Sequence, residues 1–193
     1  MAPIWLASGS PRRRDLLTWA GIAVEVRPSN VDESRAREDA PTTHARRLAE
    51  AKAALAPPDR VVLAADTVVH LVDRIFDKPT CRDEARAHLL ALSGAWHQVT
   101  TGVCVARGED RDVFSVTTEV RFRALGAAEV ERYLATGEAD DKAGAYGIQG
   151  RGGLLVAEVR GSYTNVIGLP LEESLAALAR LGVEPEEGGH VGG

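Results

Sequence analysis

Cysteine and aromatic residues are scarce in this sequence of 193 residues, and basic residues are outnumbered by acidic ones. The two cysteines, Cys81 and Cys104, form no CxxC pair, so neither a disulfide framework nor a zinc site is expected. A net charge of -5 argues against a general nucleic-acid-binding protein, which would normally carry a basic excess. No uncharged apolar run approaches the ~18 residues needed to cross a bilayer. We therefore expect a soluble cytoplasmic protein with neither a membrane nor a nucleic-acid partner.

Lysine is also rare, because only three of the 23 basic residues are lysines. These three are Lys52, Lys78 and Lys142. In a composition that favours arginine, a position that remains lysine suggests a need for a compact ammonium group rather than a planar guanidinium. Chance accounts for any one of them equally well, so their rarity alone assigns no function.

Hydrophobic residues make up 45% of the chain, which suffices for a sizeable core and excludes disorder for most of its length. Strands are predicted at residues 3–8, 22–27, 61–72, 97–106, 113–123 and 154–159, with 97–106 and 113–123 forming an antiparallel hairpin. Helices are predicted at about 11–20, 43–56, 82–92, 127–136 and 171–181. This mixture of elements predicts a mixed α/β (α+β) fold.

The chain shows no internal linker between independent domains. Residues 1–183 are therefore expected to form a single domain. Residues 184–193, with the sequence EPEEGGHVGG, are expected to form a disordered tail.

The segment from Ser8 to Arg14 has the pattern of a helix start beside an anion site. Ser10 occupies an N-cap position and Pro11 the first helical position. The amides and the positive dipole end of such a helix attract anions, and arginines suit phosphate oxygens. The alternative is an ordinary capped helix with a solvated basic first turn. Because the dipole disfavours arginine there, three consecutive arginines favour anion binding.

Asp66 lies within the apolar run 61–72, where a carboxylate is costly to bury unless it is paired, hydrogen-bonded or bound to a metal. Glu33, in the polar segment before the second predicted helix, is a second candidate ligand. Two carboxylates without a histidine cluster favour a hard divalent ion such as Mg²⁺ or Mn²⁺. The alternative is a buried aspartate satisfied by Thr67 and backbone amides.

Other catalytic patterns are weak or missing. The histidines show no metal-ligand spacing and are expected at the surface or at strand edges; they are His44, His70, His88, His97 and His190. No GxSxG motif and no Cys–His nucleophile pattern occurs, so covalent catalysis lacks support. The glycine-rich segment 144–153 matches neither a Walker A nor a GxGxxG motif, which favours a tight loop over a phosphate cradle.

Several segments together resemble a single family and cover nearly the whole chain. They are LASGSPRRRDLL (6–17), AADTVV (64–69), DKP (77–79), TGEADDKAGAYGIQGRGG (136–153) and SYTNVIGLPLEE (162–173). These segments resemble the Maf family, the septum-formation-inhibitor-like nucleoside triphosphate pyrophosphatases. All three lysines fall inside matching segments, Lys52 within a further match, AKA.

The resemblance implies a fold related to the inosine triphosphate pyrophosphatases, with a central mixed sheet flanked by helices, two lobes and a cleft. It implies hydrolysis between the α and β phosphates, giving a nucleoside monophosphate and pyrophosphate with a divalent metal. It assigns proton acceptance to Asp66 and metal binding to Asp66 and Glu33. Phosphate binding falls to Ser8, Arg13, Lys52, Lys78 and Lys142.

The resemblance also implies a base preference, marked by Arg12, Thr67 and Gln149. This set is similar to the branch that acts on dTTP and UTP, whereas the sister branch prefers 7-methyl-GTP. A glutamine amide offers one donor and one acceptor, which match the N3–H and O4 edge of uracil or thymine. The chain departs from the family at Asp77, where glycine is usual, and a carboxylate beside Lys78 would lower the positive potential there.

Two alternatives stay open beside hydrolysis of dTTP and UTP. Modified pyrimidine nucleotides could be the main substrates of the same chemistry. A nucleotide-binding regulator of cell division or septum formation, with little hydrolysis, is a function of a different class. Asp66 favours the enzyme, because a pure binder needs no proton acceptor. The resemblance is also compatible with a homodimer.

Overall fold

The computed structural model describes residues 2–32, 40–72 and 74–186, and within these ranges the chain forms seven β-strands and six α-helices. The strands are β1 (Ile4–Leu6), β2 (Val24–Val26), β3 (Val62–Leu71), β4 (Arg74–Phe76), β5 (Trp96–Arg107), β6 (Asp110–Phe122) and β7 (Val156–Arg160). The helices are α1 (Pro11–Trp19), α2 (Pro41–Ala53), α3 (Arg82–Leu92), α4 (Ala127–Leu134), α5 (Tyr163–Ile167) and α6 (Leu171–Arg180). The predicted mixed α/β fold is confirmed.

The strands form one mixed sheet in the order β2-β1-β3-β5-β6-β7, with β4 paired to β3. β1 runs parallel to both β2 and β3, whereas β3–β4 and β6–β7 are antiparallel. β5 and β6 are neighbours joined through Gly108 and Glu109 alone, and so short a connection joins antiparallel strands. The predicted hairpin is therefore confirmed.

The chain divides into two compact units, and β3, β5 and β6 contribute residues to both. The first unit contains Met1–Asp66, Thr101–Ser115 and Gly168–Gly193. Its core packs α1 and α6 against the sheet through Leu17, Leu178 and the strand residues Leu6, Leu63 and Val105. A second cluster, made largely of alanines, packs α2 against β1, β3 and β5. Small side chains at this contact let the helix backbone approach the sheet closely.

The second unit contains Thr67–Thr100 and Val116–Ile167. Two short 3₁₀ turns, Ala143–Ala145 and Gly150–Leu155, replace the glycine-rich loop expected at 144–153. His97, Phe122 and Tyr146 stack edge to face beside the first turn, with ring centroids 4.7–5.5 Å apart. His97 Nε2 also lies 2.9 Å from the Tyr146 hydroxyl.

The prediction of exposed or strand-edge histidines is wrong for four of the five. His44, His70, His88 and His97 are all buried, with between 1% and 6% of their surface exposed. His70 and His97 lie on the long strands β3 and β5, where buried residues follow one another without alternation. The polar–apolar pattern therefore carries no signal of exposure there. His190 lies outside the described residues.

The single domain and the disordered tail stay predictions. The Glu186 amide donates to the Gly21 carbonyl at 3.0 Å, and residues 187–193 lie outside the described residues. Across the described ranges, no helix combines the length and the apolar character that crossing a membrane requires.

Candidate active site

Ser8 and Arg13 form the first part of the candidate site, where β1 leads into α1. Ser8 is buried, and its Oγ accepts hydrogen bonds from the Ser10 amide at 3.2 Å and from Arg13 Nη1 at 2.9 Å. Arg13 Nε donates to the Gly168 carbonyl at 2.8 Å. Ser10 and Pro11 start the helix as predicted, but the Ser10 side chain makes no capping hydrogen bond. The hydroxyl of Ser8 therefore holds this helix start from two residues upstream.

This helix start carries positive charge with no acidic residue in its first turn. Arg12 and Arg13 are half-buried there, and the helix dipole adds partial positive charge at the same end. Arginines near the C-terminal end of a helix would be stabilised by the negative end of its dipole. Here the arginine side chains and the N-terminal end of the dipole are both positive. An anion is the ligand that relieves this accumulation of charge.

Helix α2 places Lys52 against the sheet of the first unit. Its buried residues repeat at the spacing of one helix face; they are His44, Ala45, Leu48, Ala49, Lys52 and Ala53. Gly102 of β5 lies directly under this face, since a Cβ on Gly102 would lie 2.4 Å from the Ala45 carbonyl carbon. The close approach of helix and strand brings the Lys52 ammonium down to the sheet.

Lys52 and Asp66 form a buried ion pair. Lys52 Nζ donates to Asp66 Oδ1 at 2.8 Å, and the two side chains are only 8% and 14% exposed. Each charge alone would be costly to remove from water, and each compensates the other. The Asp66 carboxylate inside the apolar strand is therefore paired with a lysine. The alternative interpretation had this carboxylate satisfied by Thr67 and backbone amides.

The pairing of β1 with β3 relates the Ser8 segment to Asp66. The Ala7 amide donates to the Leu63 carbonyl at 2.9 Å, and the two strands run parallel. Ser8 follows Ala7 directly, and Asp66 lies three residues after Leu63. Both residues therefore lie on the carboxyl side of this strand pair, where parallel α/β sheets commonly bind ligands.

Asp66 offers one oxygen donor of the kind that a divalent metal takes when it is held together with a phosphate substrate. Asp66 Oδ2 accepts no hydrogen bond from any residue that the structure describes, which leaves one hard oxygen donor. Glu33, the other predicted ligand, lies outside the described residues. The described ranges contain no group of three or more potential metal-ligating side chains. Mg²⁺ commonly takes one or two carboxylates and completes its shell with waters and substrate phosphates, so two carboxylates suffice.

Four predicted site residues belong to the second unit. Thr67 is half-buried, whereas Lys78 and Gln149 are exposed, and Lys78 makes no hydrogen bond or ion pair with the described residues. Lys142 Nζ donates to Asp141 Oδ1 at 2.5 Å. The Lys142 stem packs on Gly147, where a Cβ would lie 2.8 Å from Lys142 Cε. Lys142 and Gln149 thus lie on the same glycine-rich segment.

Two residues near this segment have contacts that no sequence pattern predicts. Glu138 accepts hydrogen bonds from the amides of Arg151 and Gly152, each at 3.1 Å. The Tyr133 hydroxyl accepts one from the Gly147 amide at 3.3 Å, and burial raises the pKa of Tyr133 to about 12. Glu138 falls inside the matching segment 136–153, which is a signal of importance, but its partners become visible only in the folded chain.

Comparison with protein families agrees with these segments and with the fold. A family model described as Maf-like protein matches residues 3–181. The chain belongs to the Maf family. The resemblance inferred from the sequence segments is thereby confirmed.

Curated relatives of this Maf chain match it over almost its whole length. A protein of Anaeromyxobacter dehalogenans is 50% identical over 188 residues, which cover 94% of this chain and 96% of the relative. A protein of Chromobacterium violaceum is 46% identical, with the same coverage. One from Yersinia pestis is 45% identical over 90% of each chain. All three are named dTTP/UTP pyrophosphatase, the branch that Arg12, Thr67 and Gln149 predict.

Proposed function

We propose that this Maf chain is a nucleoside triphosphate pyrophosphatase that hydrolyses the α–β phosphate bond of dTTP and UTP. The products are the nucleoside monophosphate and pyrophosphate. The observation that carries the proposal is the buried Lys52–Asp66 ion pair beside a helix start with positive charge. The names of relatives at 45–50% identity support the substrates.

Asp66 acts as the proton acceptor for the attacking water. One carboxylate oxygen is held by Lys52 at 2.8 Å, which fixes the orientation of the carboxylate. The other oxygen carries two lone pairs, so one can accept the proton while the second stays available to a metal ion, and the contact with Lys52 is not disturbed. General-base catalysis of this kind contributes about 10²–10⁴-fold to the rate. Loss of the proton acceptor should therefore lower the rate by a factor in this range.

Ser8, Arg13 and the N-terminal end of α1 bind phosphate oxygens. Arg13 is fixed by Ser8 Oγ and the Gly168 carbonyl, so its guanidinium is positioned before a ligand arrives. Fixed positive groups stabilise charge that develops on a leaving pyrophosphate more effectively than mobile ones, because no reorganisation is needed. Lys78 and Lys142 are proposed to add positive charge toward the same ligand class.

A divalent ion, Mg²⁺ or Mn²⁺, would be held by Asp66 with Glu33 and would supply charge neutralisation on the phosphates and a more acidic water. Lys52 would then add net positive charge beside the phosphates, because the ion alone already offsets the two carboxylates. Selection of the base falls to Arg12, Thr67 and Gln149, with the Gln149 amide directed at the N3–H and O4 edge of the pyrimidine.

The setting of the reaction is part of the proposal. We expect the protein in the cytoplasm, where nucleoside triphosphates are abundant, with no nucleic-acid partner because the net charge is -5. A homodimer is the oligomeric state we expect from the family resemblance. Sedimentation of the purified full chain tests that expectation directly.

The test is a pyrophosphate-release assay on the purified protein with a panel of triphosphates: dTTP, UTP, CTP, 7-methyl-GTP, ITP and modified pyrimidines, each with Mg²⁺ and with Mn²⁺. We expect release from dTTP and UTP, and a loss of at least ~100-fold in Asp66→Asn, because the proton acceptor is removed. Asp59→Asn, an exposed aspartate of the same unit, is the matched control and should retain full activity.

Three results would contradict the proposal or one part of it. Activity confined to 7-methyl-GTP or ITP would keep the chemistry and overturn the base preference. Nucleotide binding without hydrolysis of any substrate would favour the regulator of cell division. Full activity in Asp66→Asn would remove the proton-acceptor role alone.

A further inference from the structure

A single carboxylate holds the segment that carries Gln149. Glu138 follows the end of α4, and its two oxygens accept hydrogen bonds from the amides of Arg151 and Gly152, each at 3.1 Å. These amides belong to the 3₁₀ turn Gly150–Leu155, which begins directly after Gln149. The position of Gln149 is thus set by contacts that begin two residues further along the chain, at Arg151.

Two glycines of this segment lie too close to the Glu138 carboxylate or to neighbouring backbone to leave room for a side chain. Gly150 has φ +85°, and a Cβ there would lie 3.1 Å from Glu138 Oε1. A Cβ on Gly152 would lie 2.2 Å from the Gly147 carbonyl oxygen. The segment is therefore folded tightly on itself. The amides of Arg151 and Gly152 are satisfied by Glu138, which supports a tight loop rather than a phosphate cradle.

Glu138 is itself fixed by the end of α4. Its amide donates to Thr136 Oγ1 at 3.2 Å, and that hydroxyl donates to the Tyr133 carbonyl at 2.7 Å. The Tyr133 hydroxyl accepts from the Gly147 amide, two residues before Gln149. The end of α4 therefore holds the segment on both sides of Gln149.

Base discrimination by a glutamine requires such support. Uracil presents a donor at N3 and an acceptor at O4, whereas cytosine presents the reverse pattern. A glutamine amide can rotate and match either. Selectivity consequently depends on the position and direction from which the side chain reaches the base, and a backbone held on both sides supplies a fixed direction.

We infer that Glu138 is a positioning residue for base selection: its carboxylate fixes the backbone from which Gln149 reads the pyrimidine edge. The inference rests on the proposed function, since it needs a pyrimidine nucleotide as substrate. Glu138 acts through Gln149 and needs no contact with the substrate. Its removal should therefore change which base is preferred more than how fast the phosphate bond is cleaved.

The variant Glu138→Gln keeps the size of the side chain and removes one of two acceptors. Its amide NH₂ would face a backbone N–H, so either Arg151 or Gly152 loses its partner. The measurement is the ratio of kcat/KM for UTP to that for CTP, in four proteins: the unaltered chain, Glu138→Gln, Gln149→Ala and the double variant. Loss of one well-placed hydrogen bond in the transition state corresponds to about tenfold in this ratio.

We expect the ratio to fall about tenfold in Glu138→Gln and to fall no further when Gln149 is already replaced, because coupled residues are not additive. Glu158→Gln is the matched control: it removes the same charge from a half-buried ion-pair network with Arg121 and Arg160, and the ratio should not change. If Glu138→Gln fails to fold, Tyr133→Phe loosens the other side of the segment and should lower the ratio in the same direction.

An unchanged ratio in Glu138→Gln would overturn the inference, as would an equal fall in the presence and in the absence of Gln149. These results would leave the proposed function intact, because the unaltered protein would still release pyrophosphate from UTP. Failure of the unaltered protein to hydrolyse UTP or dTTP would overturn the proposed function, and the inference with it.

Discussion

Lys52 and Asp66 each place a charge in a mostly buried position, which is unfavourable for either residue alone. Their contact with each other compensates both charges. The ammonium sits on a helix face of small and apolar residues, and the carboxylate interrupts a buried strand. Breaking a buried pair by removing one partner leaves an uncompensated charge, which is why such a change costs more than the pair itself contributes. The stability of the first unit and the chemistry of the site therefore depend on the same contact.

This dependence predicts the stability of two variants. Lys52→Met should lower the free energy of unfolding by about 3 kcal/mol, because the charge of Asp66 is left with no partner in a mostly buried position. Lys52→Met/Asp66→Asn should recover at least half of that loss, because neither charge remains. Urea unfolding of both variants and of Asp66→Asn gives the comparison.

The two single changes share one contact, so their effects should not add. Additive losses in the double variant would show that the two side chains do not stabilise each other. Activity supplies an independent check, since none of the three variants should hydrolyse UTP at more than a small fraction of the normal rate.

At the scale of elements, the approach of α2 to β5 determines where Lys52 lies. Gly102 provides the room: a methyl group there would lie 2.4 Å from the Ala45 carbonyl carbon and 2.5 Å from the Arg46 amide nitrogen. Both are backbone atoms, which cannot rotate away as the end of a side chain can. A larger residue at this position must push the helix backbone off the strand.

Gly102→Ala should therefore destabilise the protein by about 1–3 kcal/mol, the usual cost of overpacking, and lower kcat for UTP by at least about tenfold. The loss of activity follows because α2 carries Lys52, and a displaced helix cannot keep its 2.8 Å contact with Asp66. Gly126→Ala is the control, since a Cβ there meets nothing within 4 Å and the change should be nearly neutral in both measurements. Full activity in Gly102→Ala would show that the site tolerates movement of α2.

The elements also show which features a sequence can predict. The predicted helix at 82–92 agrees with α3, and 171–181 exceeds α6 by one residue, because their apolar spacing and caps are local. The short strand β4 and the five-residue helix α5 were not predicted. No alternating pattern extends beyond the three residues of β4, as it does around β2, and five residues are too few to show a helical period. Within the candidate site, Asp66 was identified because it is a charged residue inside an apolar strand. Its pairing with Lys52 and the tie from Arg13 to Gly168 join positions 14 and 155 residues apart, which composition and spacing do not reveal.

On the scale of the whole molecule, buried histidines link folding to pH. His97 is 1% exposed, and burial lowers its pKa from 6.5 to about 4. Burial lowers the pKa values of His70 and His88 as well. In the unfolded chain these side chains take up protons below about pH 6.5, whereas the folded chain holds them neutral. The stability that neutral His97 contributes is therefore fully present above pH 6.5 and is lost as the pH falls toward 4, and His70 and His88 act in the same direction.

His97→Gln should make this loss shallower. One histidine that protonates only in the unfolded chain changes the free energy of unfolding by about 1.4 kcal/mol per pH unit, and glutamine removes that contribution. Urea unfolding at intervals from pH 4.5 to 8 measures the slope, and slopes rather than absolute stabilities are compared because the substitution also alters packing against Phe122 and Tyr146. Between pH 7 and 8 the two proteins should run parallel, since the histidine is neutral in both states. Equal slopes below pH 6 would mean that His97 takes up its proton in the folded chain, which a side chain buried against two aromatic rings should resist.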